Sequence, residues 1–111
     1  MPSPMTGSPL LVLTTLASLD DARRLVRTLV DERLVACGTV LPGATSIYRW
    51  RGGIHDAAEV VVLLKTMSTR WDALCDAVRR HHPYDVPELL ALPVSAGLDA
   101  YVDWVAEEVA P

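Results

Sequence analysis

Residues 36–66 read ACGTVLPGATSIYRWRGGIHDAAEVVVLLKT, and the fold turns on this stretch. It is one long β-hairpin with its turn at Gly52-Gly53. A two-residue hairpin loop of the primed types needs φ > 0, which glycine adopts at no steric cost. With that loop the register follows: Arg51 faces Ile54, Trp50 faces His55, Arg49 faces Asp56, Tyr48 faces Ala57 and Ser46 faces Glu59. The opposite charges of Arg49 and Asp56 support it as a cross-strand pair. Tyr48 and Trp50 share one face, and Ile47, Arg49 and Arg51 share the other. The returning strand, Val60-Val61-Val62-Leu63-Leu64, has no polar alternation, as expected of a strand buried on both faces. Pro42-Gly43 interrupts the first arm and predicts a bulge or bend.

Each arm would run about 10–15 residues against a usual strand of about 5–6. Such arms project beyond a single core in a chain of 111 residues. Pairing them with other copies of the chain covers them most simply. The expectation is an obligate homo-oligomer with any site between subunits.

Composition points the same way. Half the residues are hydrophobic, and mean hydropathy is +0.25. A domain this small buries only about 65% of its unfolded surface, so the excess apolar surface is assigned to an interface between chains. No apolar run approaches the ~20 residues of a transmembrane helix, so no membrane partner is expected. The net charge is −4 and the pI about 5.2, which argues against a nucleic-acid partner. Residues 1–8 read as a disordered tail and 9–111 as a single domain. Leu10 to Ala17 is short and lacks a basic flank, so no signal peptide is expected and the chain is placed in the cytoplasm. Two cysteines in that compartment are expected as free thiols.

Leu10-Leu11-Val12-Leu13-Thr14-Thr15 predicts a buried first strand. Ser18 fits an N-cap, with Asp20 and Asp21 in the first turn. Ala22, Leu25, Val26 and Leu29 recur at helical spacing, giving a helix over 19–33. After the hairpin, Thr69 is the next expected cap, with Asp72 three residues on. Trp71, Leu74, Cys75 and Val78 form the stripe of a second helix, which Pro83 stops. Residues 89–94 are a short apolar strand. A third helix carries Leu98, Tyr101, Val102, Val105 and Val109 on one face. The order β-α-β-β-α-β plus a C-terminal helix is the α+β, ferredoxin-like arrangement, an antiparallel sheet with helices on one face. It hosts many activities and decides no function alone.

His82-Pro83-Tyr84-Asp85-Val86-Pro87-Glu88 holds an imidazole, a phenol and carboxylates in a rigid loop between prolines. It is either a preorganised site or a stiff connector. His81 and His82 are adjacent and cannot chelate one metal as a helical pair. Cys37 is either a soft-metal ligand or a small buried apolar side chain, and Cys75 belongs to a helix stripe. Lys65, ending an apolar strand, either snorkels or lines a cleft. Tyr48, Trp50 and Trp104 suit a half-wet interface. There is no Cys-x-x-Cys, no His-x-x-x-His, no Gly-rich phosphate loop and no motif-placed Ser/His/Asp set, so no enzyme is expected.

Five segments together resemble the CutA divalent-cation-tolerance family over about residues 9–109. They are Leu34-Val35-Ala36-Cys37, Leu41 to Trp50, Glu59 to Thr66, His82 to Pro93, and Tyr101-Val102-Asp103-Trp104-Val105. The resemblance implies a ferredoxin-like homotrimer whose hairpins pair between subunits, a relation to the PII signalling proteins, and a role in tolerance of copper and other divalent ions. It implies an inter-subunit cleft drawing on Cys37, Tyr48, Trp50, Lys65, His82, Tyr84, Glu88 and Trp104. A divalent metal such as Cu(II) would take Cys37 and His82 as ligands, with Glu88 as oxygen donor. Two alternatives stay open: a small anionic ligand near Lys65, and a purely structural trimer. The chain departs from the family pattern at Thr39, where Asn is usual, at Arg49, where Trp is common, and at Arg51, where an acidic residue is frequent.

Overall fold

The computed structural model describes residues 7–111. Four strands form one sheet in the order β2-β3-β1-β4, with every pairing antiparallel. The strands are β1 (Pro9–Leu16), β2 (Cys37–Trp50), β3 (Gly53–Met67) and β4 (Leu90–Pro93). The helices are α1 (Leu19–Asp31), α2 (Trp71–His81) and α3 (Asp99–Glu108). This is the α+β arrangement expected from the sequence. The tail expected over 1–8 falls outside the described residues for 1–6. Ser8 belongs to the fold, because its carbonyl accepts from the Ser68 backbone N–H at 2.7 Å.

Alternation along the strands sorts the core. Val12 and Leu16 of β1 and Val60, Val62 and Leu64 of β3 point one way. They pack with Leu25 and Leu29 of α1 and Leu74 and Val78 of α2. Gly38 of β2 lets α1 come close, since a Cβ there would stand 2.8 Å from a methyl of Val26 and 2.9 Å from one of Leu64. Ser18 caps α1, its Oγ accepting from the Asp21 N–H at 3.1 Å. The expected Thr69 cap is not used. A 3₁₀ turn, Ser68–Arg70, precedes α2, and no side chain caps the helix start. Ser68 is tied back instead, its Oγ accepting the Ser8 N–H at 2.9 Å.

The second face of the sheet is largely open. Val61 and Leu63 are only half-buried, which corrects the expectation of a strand buried on both sides: α1 and α2 supply one layer, and the described residues supply no full second one. Leu90 and Leu92, opposite Leu13 and Leu11, are 59% and 49% exposed. α3 covers only the end of this face, where Val105 and Val109 pack on Met67 and Ala36.

The hairpin projects as expected. β1 pairs with β3 only as far as Val60, so beyond it the two arms are hydrogen-bonded as strands only to each other among the described residues. The Cα radius of gyration is 15.0 Å and the long axis 53 Å, against about 13 Å expected of a compact chain this size.

The turn differs from the expectation by one residue. Trp50 pairs with Gly53, and the loop is Arg51-Gly52, with φ of 49° and 80°. Arg49 therefore faces Ile54, Ile47 faces Asp56 and Tyr48 faces His55. A left-handed Arg51 costs roughly 1 kcal/mol. Several contacts offset it: the Tyr48–His55 ring stack at 6.1 Å, the His55 Nε2 bond to the Trp50 carbonyl at 3.1 Å, and Arg51 lying over the Trp50 ring at 5.5 Å. Both registers keep the same residues on the same face, because moving the turn by one shifts each partner by two.

The bulge stands where the sequence places it. Leu41 pairs with Val61 and Ala44 with Glu59, leaving Pro42 and Gly43 opposite Val60, with Gly43 at φ 89°. β2 is an edge strand, where proline costs no ladder bond. The extra residue reverses the alternation of β2. Cys37 and Thr39 before it, and Tyr48 and Trp50 after it, all lie on the open face with Lys65, Leu63 and Glu59.

Candidate functional site: a cleft between the hairpin and the 82–88 segment

α2 ends because Pro83 follows it. His82 takes an extended conformation (φ −75°, ψ 135°), as the residue before proline must, and the chain turns across the end of β1 toward the open face. Its imidazole is 6% exposed. His82 Nδ1 accepts the Tyr84 backbone N–H at 3.1 Å. His82 Nε2 lies 2.9 Å from the Thr15 carbonyl oxygen, an acceptor only, so these two partners assign the ring proton to Nε2. The His82 and Tyr84 rings lie 4.8 Å apart. Tyr84 then reaches across to β3, its hydroxyl 3.4 Å from Glu59 Oε2. Burial first, and the Glu59 carboxylate second, push the Tyr84 phenol above its ordinary range.

Between this segment and the hairpin lies a cleft of about 850 Å³. Tyr48, Trp50 and Tyr84 supply aromatic wall, and Glu59, Asp85 and Glu88 supply carboxylates. No lysine or arginine lines it.

Tyr48, Trp50, Tyr84 and Glu88 of the residues singled out in the sequence thus share one cleft. His82 lies behind it as the strut of Tyr84. Cys37, Lys65 and Trp104 lie elsewhere. Cys37 is opposite Lys65, which pairs with Leu11, four residues along β1 from Thr15, or about 13 Å away. There the Cys37 thiol meets the Tyr101 hydroxyl at 3.5 Å, and Tyr101 packs on Trp104 with ring centroids 5.7 Å apart. The hydrogen bond to Cys37, more than burial, raises the Tyr101 phenol above its ordinary range. Lys65 Nζ donates to Thr39 Oγ1 at 2.7 Å. One chain therefore does not bring Cys37, His82 and Glu88 to a common point, and both ring nitrogens of His82 are engaged. Among the described residues no three of His, Cys, Asp and Glu are grouped to hold a metal ion.

Glu59 is the cleft carboxylate the sequence reading did not assign to a site, and Asp85 it named only as part of the 82–88 loop. The signal for Glu59 was its place on β3, on the face of Val61, Leu63 and Lys65. The hairpin pairing alone puts it on the face of Tyr48, and the bulge brings Cys37 and Thr39 to that face as well.

The CutA1 divalent ion tolerance protein model matches residues 10–108. This chain belongs to the CutA1 family. The Divalent-cation tolerance protein CutA of Thermus thermophilus is 44% identical over 96 residues, covering 86% of this chain and 93% of that protein. The CutA crystal structure from Xylella fastidiosa superposes with a TM-score of 0.90 at 39% identity, covering 94% of this chain and all of that one. The CutA1 structure from Oryza sativa gives 0.91 at 33% identity, covering 96% of this chain and 97% of that one. The CutA1 membership agrees with the five segments that carry the resemblance in the sequence. The 82–88 segment and the hairpin face, two of those segments, are the walls of the cleft.

Proposed function

We propose that this chain acts in tolerance of divalent cations as a non-enzymatic homotrimer that binds the cation at the cleft beside the hairpin, where a neighbouring copy completes the site. The observation that carries this is the sign of the cleft lining, three carboxylates and no lysine or arginine. A low-dielectric concave wall of one charge sign concentrates ions of the other. The alternative of a small anionic ligand loses its cation, since Lys65 is turned to Thr39 outside the cleft. Glu88 with Glu59 and Asp85 offers oxygen donors, and a second copy supplies the rest of the coordination. The projecting arms and the open face with exposed Leu41, Leu90 and Leu92 support that second copy, since apolar surface of this kind marks an interface.

Calorimetric titration with Cu(II) and Zn(II) tests the site. Binding by the wild type, and weakening in Glu59→Gln/Glu88→Gln with Cys37→Ala unchanged, is the expected result. Equal heats in all three proteins remove the cleft from the reading. Sedimentation at micromolar concentration should give a particle about three times the 12.1 kDa of the chain; a folded particle of one chain overturns the trimer.

A further inference from the structure

The cleft's shape and charge distribution fit something larger than a metal ion. Its carboxylates come from two elements and are not gathered as a metal-holding group among the described residues. Glu59 stands on β3, held near the Tyr84 hydroxyl. Asp85 and Glu88 lie three residues apart on the prolyl segment, at most about 10 Å between their Cα atoms. A bare divalent ion gathers its oxygens within about 2.0–2.6 Å of a single point, and no such grouping exists among the described residues. A volume near 850 Å³ lies in the range of sites for small organic molecules, about 300–1,000 Å³. Tyr48, Trp50 and Tyr84 add ring faces that attract cations and pack against methylene groups. Trp50 already does so within the chain: the Arg51 guanidinium carbon lies 5.5 Å over its ring.

We propose that this cleft binds a linear organic polycation, a diamine or polyamine whose ammonium groups meet Glu59, Asp85 and Glu88 while its methylene chain lies along the three rings. Distributed negative charge matches distributed positive charge, and the rings supply contact a hydrated metal ion does not use. The inference rests on the reading of the cleft as a cation site, and it makes metal dications and polyamines competitors for the same carboxylates.

The test is calorimetric titration of the assembled protein with spermidine and putrescine, with 1,4-butanediol as the uncharged probe, beside Cu(II) and Zn(II). Spermidine should bind, added NaCl should weaken it, and butanediol should give no heat. Glu59→Gln/Glu88→Gln should raise the spermidine Kd at least about tenfold, and Tyr84→Leu several-fold. Asp85→Asn, at an exposed position outside any helix or strand, serves if the double variant fails to fold and should also weaken binding. No spermidine heat from folded wild type, or binding undiminished in every folded variant, overturns the proposal. Metal binding with spermidine silent defeats the polycation alone and leaves the cation site standing; silence toward both defeats both.

Discussion

The imidazole of His82 accepts the backbone N–H of Tyr84 at 3.1 Å while its other nitrogen meets the Thr15 carbonyl at 2.9 Å. One buried ring thus joins the end of α2, the end of β1 and the start of the cleft wall. His82→Ala would leave a buried carbonyl and an amide without partners, and an orphaned buried group costs about 1–3 kcal/mol. Urea unfolding at fixed protein concentration should show a loss of that size, fixed because assembly couples stability to concentration. Hydrogen exchange should rise first over residues 82–88. Unchanged protection there would mean the ring does not hold the segment.

The hairpin register makes a sharp contrast between neighbouring glycines. Gly52 sits at φ 80°, with open space around it, so Gly52→Ala should cost about 1–2 kcal/mol from backbone strain alone. Gly53 has no positive φ, and a Cβ there would meet nothing nearer than His55 Nε2 at 3.5 Å. Gly53→Ala should therefore be neutral or stabilising by up to about 1 kcal/mol, through the unfolded chain. Comparable losses for both variants would restore the register with Gly53 in the loop.

The Tyr84 phenol is raised by burial and then by Glu59, which gives a pH dependence of definite sign. A raised folded-state value favours the neutral phenol, so the stabilisation is complete below the ordinary tyrosine value of about 10 and is lost as pH rises through the folded value. Absorbance titration at alkaline pH should show late-ionising tyrosines, of which one disappears in Tyr84→Phe and moves down in Glu59→Gln while the Tyr101 component stays. An unchanged curve in Glu59→Gln would break the link between the two walls of the cleft.

The α+β order, the bulge, the first cap and the grouping of Tyr48 with Trp50 were legible because each rests on local rules: alternation, helical spacing, an Oγ at Ser18, a Pro-Gly pair in a strand. The turn was not, because two glycines in a row make either loop sterically possible. The choice fell to contacts between arms, above all Tyr48 on His55. Thr69 failed as a cap because Ser8, far away in the chain, ties down the preceding turn. The candidate site divided for a related reason. Cys37 and His82 are both polar groups beside strands, and nothing in their spacing shows that one lies at the α3 end and the other behind the hairpin end.

The order of residues determined which elements form and that two arms outgrow their core, since chain stereochemistry and the period of apolar residues are written position by position. Tertiary structure alone decided that Glu59, Tyr84 and Trp50 meet. That meeting depends on a buried imidazole turning the 82–88 segment over the sheet, so that Tyr84 reaches Glu59. It acts through distances between elements far apart in the chain, which a linear sequence does not specify.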